Sequence, residues 1–431
     1  MLAILGLSCI LVFLVLIISK KLSVLTALVL VPCLFGLLAG FNLVELGDFA
    51  LAGIKQVAPT GILLMFAVLY FATMLDAGLF DPIILFIVKA VKGDPLKVIL
   101  GTAILTMIVH LDGDGTATFM IVLSAFLPIY KKLKINQLVL SSTVALAVGP
   151  MHLVPWSGTS ARAISTLQTD AVHIFNPNLP AIGAGIIWVL FVAYVFGKRE
   201  RARLGVIALD YQYKESLSPE QSALRRPKLI WINALMTILL IILLMKGVLP
   251  APVLFVLAAM CALLLNYPKI SDQTKILRGH GSNIFLVSSM IFAAGIFSGI
   301  LSGTQMIGEM ANALVALIPD QHASLLPSLT ALSSLPASML FTPDAYYFGV
   351  LPILSETALQ FGIDPLEIGR AALLGQMTVG FPISPLTAST FLLIGLAEVE
   401  LGEHQKHTFF WAWGTTIVMT LAALLTGSIS I

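Results

Sequence analysis

HLDGDGTATFMIVLSAFLPIY, residues 110–130, and SLPASMLFTPDAYYFGVLPIL, residues 334–354, are the two stretches on which the fold of this chain turns. Laid over each other, Leu111 falls on Leu335 and Thr118 on Thr342, and the LPI triplets at 127–129 and 351–353 coincide. Downstream, PWSGTS (155–160) lies over PLTAST (385–390): proline, any residue, hydroxyl, tiny residue, two hydroxyls. Self-similarity in the same order along a chain means two units of one architecture. Each stretch is long and apolar yet broken in its middle by Asp, Gly, Pro and Ser. Backbone can leave helical geometry at membrane depth only where protein or a water-filled cavity satisfies it.

Composition sets the solvent. Of 431 residues, 58% are hydrophobic and only 11% charged, with a mean hydropathy of +1.00. A soluble domain needs about a quarter charged residues, so lipid covers most of the outside. A net charge of +2, with the basic residues grouped in loops, gives no footing to a nucleic-acid partner. Cys9, Cys33 and Cys261 lie within apolar runs at spacings that fit neither a metal site nor a disulfide framework. Met1–Ser19 lacks a basic n-region, and Lys20 and Lys21 follow it, so it reads as a retained first membrane helix rather than a cleaved signal.

Ten segments are apolar and near the roughly 20 residues that cross ~30 Å of hydrocarbon. They are Leu2–Ile18, Leu22–Gly40, Pro59–Leu75, Leu138–Leu167, Ala181–Gly197, Leu229–Met245, Pro252–Asn266, Asn283–Leu301, Glu367–Leu396 and Thr408–Thr426. Basic clusters at Lys20–Lys21, Lys89–Lys97, Lys131–Lys134, Lys198–Lys228 and Lys269–Arg278 belong in the cytoplasm, while residues 279–369, free of Lys and Arg until Arg370, belong mostly outside. Lys97 stands at the start of the broken segment 96–130 and Lys131, Lys132 and Lys134 follow its end, so it enters and returns as a re-entrant hairpin with its tip near Asp112–Gly115. The segment 322–355 is the mirror hairpin, with its tip near Pro336–Asp344. This count places both termini outside the cytoplasm.

The expected fold is therefore an all-α polytopic membrane protein of two inverted-topology repeats, each with five transmembrane helices and one re-entrant hairpin. The first repeat is 1–197, with a broken helix at 138–167; the second is 229–431, with a broken helix at 367–396; a cytoplasmic linker, 198–228, joins them. Within each repeat the order is two spans, one span, an amphipathic surface helix (Pro82–Val91, Gln305–Ile318), a hairpin, a broken span and a last span. Inverted repeats of this kind mark secondary transporters.

The chemistry is expected where the helices break: 111–118, 149–162, 335–344 and 380–390. Each break offers a helix N-terminus with free N–H groups and about half a positive charge. Around them stand Thr116, Thr118, Ser157, Gly158, Thr159, Ser160, Thr342, Ser384, Thr387, Ser389 and Thr390, with Arg162 as the basic residue of the first half's break. Small donors of this kind suit carboxylate oxygens; the plainer alternative is that the hydroxyls satisfy neighbouring backbone in helix packing. Asp112, Asp114 and Asp344 are carboxylates at membrane depth, each costing roughly 2.5–3.5 kcal/mol to place there, and are the candidates for holding a metal or a proton. Their alternative role is to cap a hairpin turn. DGDG lacks the later ligands of a calcium loop. His110 and His152 flank the breaks and are candidates for a proton relay, whereas His404 and His407 are expected in a solvated loop before the last span.

Three stretches, AGLFDPIILFIVKAVKGDPLK (77–97), LDGDGTATFMIVLSAFLPIYKKL (111–133) and PWSGTSARA (155–163), strongly resemble the CitMHS family of metal-citrate:proton symporters. The resemblance covers essentially the whole chain. It implies a fold shared with the divalent-anion:sodium symporters, a scaffold with a mobile transport domain moving as an elevator, and usually a homodimer. It implies as substrate citrate complexed with a divalent ion such as Mg2+ or Ca2+, taken up with protons across the cytoplasmic membrane, with no resident cofactor. The sodium-coupled relatives carry Ser-Asn-Thr at the hairpin tips, whereas here those places read Asp112–Thr118 and Thr342–Asp344, which argues for metal or proton coupling. Two other readings stand beside it. A cation/proton antiporter on the same fold would use the aspartates and none of the hydroxyls. An intramembrane hydrolase would need a partner for its paired acids, and no His-Glu-x-x-His motif is present.

Overall fold

A computed structural model describes residues 1–19, 21–91, 93–206 and 219–430, and these contain helices and no strand. In the first half the helices are α1 (Leu2–Ile18), α2 (Val24–Leu38), α3 (Leu43–Asp76), α4 (Asp81–Val91), α5 (Pro95–Val109), α6 (Gly115–Leu133), α7 (Gln137–Met151), α8 (Gly158–Thr166) and α9 (Ala171–Leu204). A short α10 (Pro219–Leu224) precedes the second half. There follow α11 (Ile230–Met245), α12 (Ala251–Asn266), α13 (Ile270–Gly303), α14 (Met306–Val315), α15 (Asp320–Ala323), α16 (Leu326–Ala337), α17 (Leu351–Gln360), α18 (Pro365–Leu373), α19 (Ala388–Ala397) and α20 (Leu401–Leu425). Seven helices of the described residues are long and apolar enough to cross a membrane, and six shorter apolar ones accompany them. This is a multi-span membrane protein.

Helices α3, α9, α13 and α20 outrun the apolar segments that announced them. α3 begins at Leu43 because Asn42 and Glu45 form a capping box there, with the Asn42 side chain accepting from Glu45 N and Glu45 from Asn42 N. α9 continues to Leu204 through charges assigned to the linker; residues 207–218 of that linker lie outside the described residues. α13 starts at Ile270, so Lys275 and Arg278 ride on a helix rather than a loop. A 34-residue helix is ~51 Å long at 1.5 Å per residue. Such helices project well beyond ~30 Å of hydrocarbon, and charged turns at their ends cost little.

The long helices α3 and α13 cross at small residues. A Cβ on Gly53 would strike the Gly295 backbone, and one on Gly299 would crowd the Gly53 backbone at 2.9 Å. Gly295, Gly299 and Gly303 recur every four residues, the pattern by which membrane helices bring backbones together. Beside this crossing, α1, α2, α13 and α14 enclose a small core around the Phe13–Phe297 contact, with centroids 4.9 Å apart. The larger core runs through α3–α9, α11–α13 and α16–α20. The expected surface helices are α4 and α14; α4 buries Ile84, Ile87, Val88 and Val91, one stripe at helical spacing.

Contacts at the two ends of the helical body join loops expected on one side. At one end Lys131 meets Glu398, the Arg203 guanidinium donates to Lys134 O (2.9 Å) and Arg226 N to Ala77 O (2.9 Å). At the other, Arg370 Nε donates to His173 O (3.1 Å) and Asn176 Nδ2 to Met245 O (3.1 Å). By length alone α5 and α6 could each cross the membrane. Their shared tip instead lies against the interior of the rod formed by α7 and α8, since Trp156 Nε1 donates to Leu111 O at 2.7 Å.

Candidate functional site

The rod α7–α8 breaks because Pro150 and Pro155 remove two donors from its ladder, freeing carbonyls upstream. Within the break Ser160 Oγ donates to Leu153 O (3.1 Å), and Ser157 Oγ caps α8 by accepting from Ser160 N (3.2 Å). The first hairpin tip fits into this break. Gly113 adopts φ +77, and a Cβ there would lie 3.3 Å from Ser157 Cα, so both conformation and space call for glycine. Asp112 Oδ1 accepts from Asp114 N (2.8 Å) and Asp114 Oδ1 from Thr116 N (2.9 Å), which turns the chain and caps α6. Below the tip, His110 is hydrogen-bonded to Thr118 Oγ1 (2.9 Å) and to His152 (2.8 Å), and His152 stacks on Phe381 at 4.7 Å.

The second half breaks its rod between α18 and α19, and Met377 there adopts φ +50. Side chains satisfy the unwound backbone. Ser338 Oγ accepts from Met377 N (2.8 Å), Ser384 Oγ donates to Ser338 O (2.6 Å), and Thr387 and Thr390 both donate to Phe381 O (3.0 and 2.9 Å). The second tip runs into a π-helical turn, Ala345–Val350, a rare form that is frequent at functional sites. From that turn Tyr347 donates to Gln376 O at 2.9 Å.

The two breaks meet. Thr159 Oγ1 on α8 donates to Met377 O (3.0 Å), and a Cβ on Gly149 would lie 3.1 Å from Val379 Cα. Arg162 Nε binds Asp344 Oδ1 at 2.7 Å, joining α8 to the second tip, while Arg162 Nη1 donates to Gly158 O (2.8 Å). Along the chain α8 and α19 restart at Gly158 and Ala388, the residues that the PWSGTS–PLTAST overlay places together.

The family model for citrate transporters, CitMHS, matches residues 13–375. The chain belongs to the CitMHS family. It is 52% identical to a citrate transporter of Bacillus subtilis strain 168 and 49% identical to that organism's Mg(2+)/citrate complex secondary transporter, in both cases over the full length of each chain. Among solved structures it resembles the Alcanivorax borkumensis YdaH transporter, with a TM-score of 0.63 at 16% identity over 88% of this chain and 87% of that one. That likeness concerns the fold alone. A CitMHS member is a transporter and not an enzyme, so the hydrolase reading of the paired aspartates falls.

Within this CitMHS chain the predicted residues come together unequally. Thr118, Ser157, Thr159, Ser160, Ser384, Thr387 and Thr390 spend their hydroxyls on backbone groups, and Thr342 accepts from Ala345 N. These bonds are made within the breaks and between them. Thr116 is exposed and Ser389 half-buried, and neither side chain makes a hydrogen bond among the described residues. Asp112 and Asp114 serve as turn and cap, and Asp344 faces Arg162 and not the other tip. No group of three or more His, Cys, Asp or Glu that could hold a metal occurs among the described residues. His404 and His407 are not in a solvated loop. α20 begins seven residues earlier than its apolar run, at Leu401, and carries His404 fully buried against Ser141 Oγ (3.0 Å) and Pro382 O (3.1 Å). His407 reaches Ser142 Oγ at 2.7 Å.

Sequence reasoning passed over Ser338, Tyr347, Gln376 and Thr416. Ser338 lies under Asp114 in the hairpin overlay and could have been found there. Gln376 is fully buried, and neither its amide oxygen nor its nitrogen has a partner among the described residues; the Thr416 hydroxyl is also buried and unpartnered. Nothing local in the sequence distinguishes them.

Proposed function

We propose that this protein takes up citrate complexed with a divalent metal ion, coupled to protons, across the cytoplasmic membrane. The observation that carries the reading is the junction of the two broken helices and the second tip through Thr159–Met377 and Arg162–Asp344, with the first tip held to the first break by Trp156 on Leu111 O. The reading is supported by the helix N-termini at the breaks, the hydroxyls of Thr116 and Ser389 at the starts of α6 and α19, unpartnered among the described residues, and the Arg162 guanidinium, the donor chemistry that carboxylates require. The metal in the name of the 49% identical relative suits a protein with no acidic cage among its described residues: a cation that arrives already chelated by citrate needs few protein ligands.

The two halves, 1–197 and 229–431, are read as inverted repeats, supported by their common order of elements. The moving unit would comprise both hairpins and both broken rods, sliding against α3, α13 and their neighbours as an elevator, in a homodimer surrounded by lipid. Basic loops support a cytoplasmic Lys131–Glu398 end, with both termini outside. Tip carboxylates would carry the proton.

Purified protein in liposomes should accumulate radiolabelled citrate when Mg2+ or Ca2+ is present and an inward proton gradient is imposed. Uptake indifferent to the metal would sink the metal-citrate assignment. Uptake unchanged by collapse of the gradient would sink proton coupling.

A further inference from the structure

The ion pair between Arg162 and Asp344 spans the two halves, and its geometry is that of an incomplete carboxylate site. Arg162 is pinned at its Nη1 end by Gly158 O (2.8 Å), so the guanidinium is held at the N-terminus of α8. Asp344 occupies only Nε, through one oxygen at 2.7 Å. Nη2 makes no hydrogen bond among the described residues, and the Arg162 side chain keeps 18% of its surface exposed. The Nε–Nη2 edge, which a carboxylate can grip with both oxygens, is therefore half used, and its free half is accessible. Asp344 stands in the first turn of the second tip's helix, immediately before the π-helical segment, with helical backbone angles (φ −64, ψ −43), so what can move away from Arg162 is its side chain.

A guanidinium largely out of water needs a counter-charge at all times, because an uncompensated buried charge costs several kcal/mol. We propose that Asp344 is a tethered stand-in for a substrate carboxylate: it neutralises Arg162 while the site is empty, and a carboxylate of the incoming di- or tricarboxylate displaces it. This inference rests on the transporter reading above and adds the competitor within the site. The exchange is one of ion pairs alone, with no bond made or broken. A substrate must then bring a carboxylate left free after metal chelation, and an internal rival lowers its apparent affinity.

The test is calorimetric titration of the full-length protein in lipid nanodiscs at one pH, with citrate alone and with citrate plus Mg2+. Asp344→Asn should bind the form that wild type binds about tenfold more tightly. Arg162→Gln should lose most of that affinity, and the double variant should resemble Arg162→Gln, since the rival matters only while Arg162 is present. Unchanged or weaker binding by Asp344→Asn overturns the proposal. A wild type that binds citrate in neither form sinks the transporter reading instead, so the two failures are distinct. Should Asp344→Asn not fold, carbodiimide labelling of wild type read by mass spectrometry decides: Asp344 should become more reactive when substrate is added, and equal labelling overturns the inference.

Discussion

The hydroxyl of Thr159 donates to the carbonyl of Met377 at 3.0 Å, and through this single bond the break of one half is pinned to the break of the other. Met377 holds a left-handed backbone, φ +50, that a non-glycine residue adopts only when its surroundings impose it. Thr159→Val keeps the shape and removes the donor, leaving a buried carbonyl short of a partner at a cost of about 1–3 kcal/mol. A lower melting temperature in detergent and slower citrate uptake are expected, with Thr159→Ser restoring both.

Gly113 sits at φ +77 with Ser157 Cα at 3.3 Å from the place of a Cβ. Gly113→Ala adds roughly 1–2 kcal/mol of backbone strain and pushes the first tip out of its seat. Gly183, inside α9, has nothing within 4 Å of that place, so Gly183→Ala should be neutral or slightly stabilising. Parallel melting curves and uptake assays compare the two; equal behaviour would refute a seated tip.

The amide of Gln376 is fully buried with neither atom partnered among the described residues. Burial of an unbonded polar group costs about 1–3 kcal/mol in proteins, so Gln376→Leu should raise the melting temperature. Uptake should fall at the same time, the pattern of a group kept for function against stability. A drop in melting temperature would mean that the amide is already satisfied.

At the surface, Lys131 Nζ contacts Glu398 Oε1 at 2.5 Å, both side chains about half exposed, and the hydrogen bond from Lys131 holds the Glu398 carboxyl below its ordinary value. A depressed carboxyl stabilises the fold above its unfolded pKa of about 4.3 and loses that contribution as pH falls through the folded value. Wild type and Lys131→Met should therefore differ slightly in melting temperature at neutral pH and low salt. The difference should vanish on acidification below the carboxylate range, and in high salt, where exposed charges are screened.

Much of the architecture was legible in residue order. Apolar length is set by the thickness of a bilayer, basic residues stay with cytoplasmic loops, and Pro, Gly and Ser in an apolar run announce a break; these are local properties. The membrane-length apolar helices and the places where Pro, Gly and Ser interrupt a helix were found in this way. Helix ends were less legible, because charged turns of α3, α9, α13 and α20 continue a helix beyond the apolar stretch.

What only the tertiary structure decided is the use to which each polar residue is put. Composition alone cannot separate a hydroxyl that caps a helix, such as Ser157, from one that makes no hydrogen bond among the described residues, such as Ser389. The same holds for Asp344, whose partner Arg162 stands 182 residues away, and for His404, whose partners come from α7 and from the second break. Local sequence determines where a backbone must leave the helix, since missing donors and tight turns act within a few residues. Which side chain then satisfies the freed groups depends on what packing brings within 3 Å, and that is settled between halves of the chain far apart in sequence.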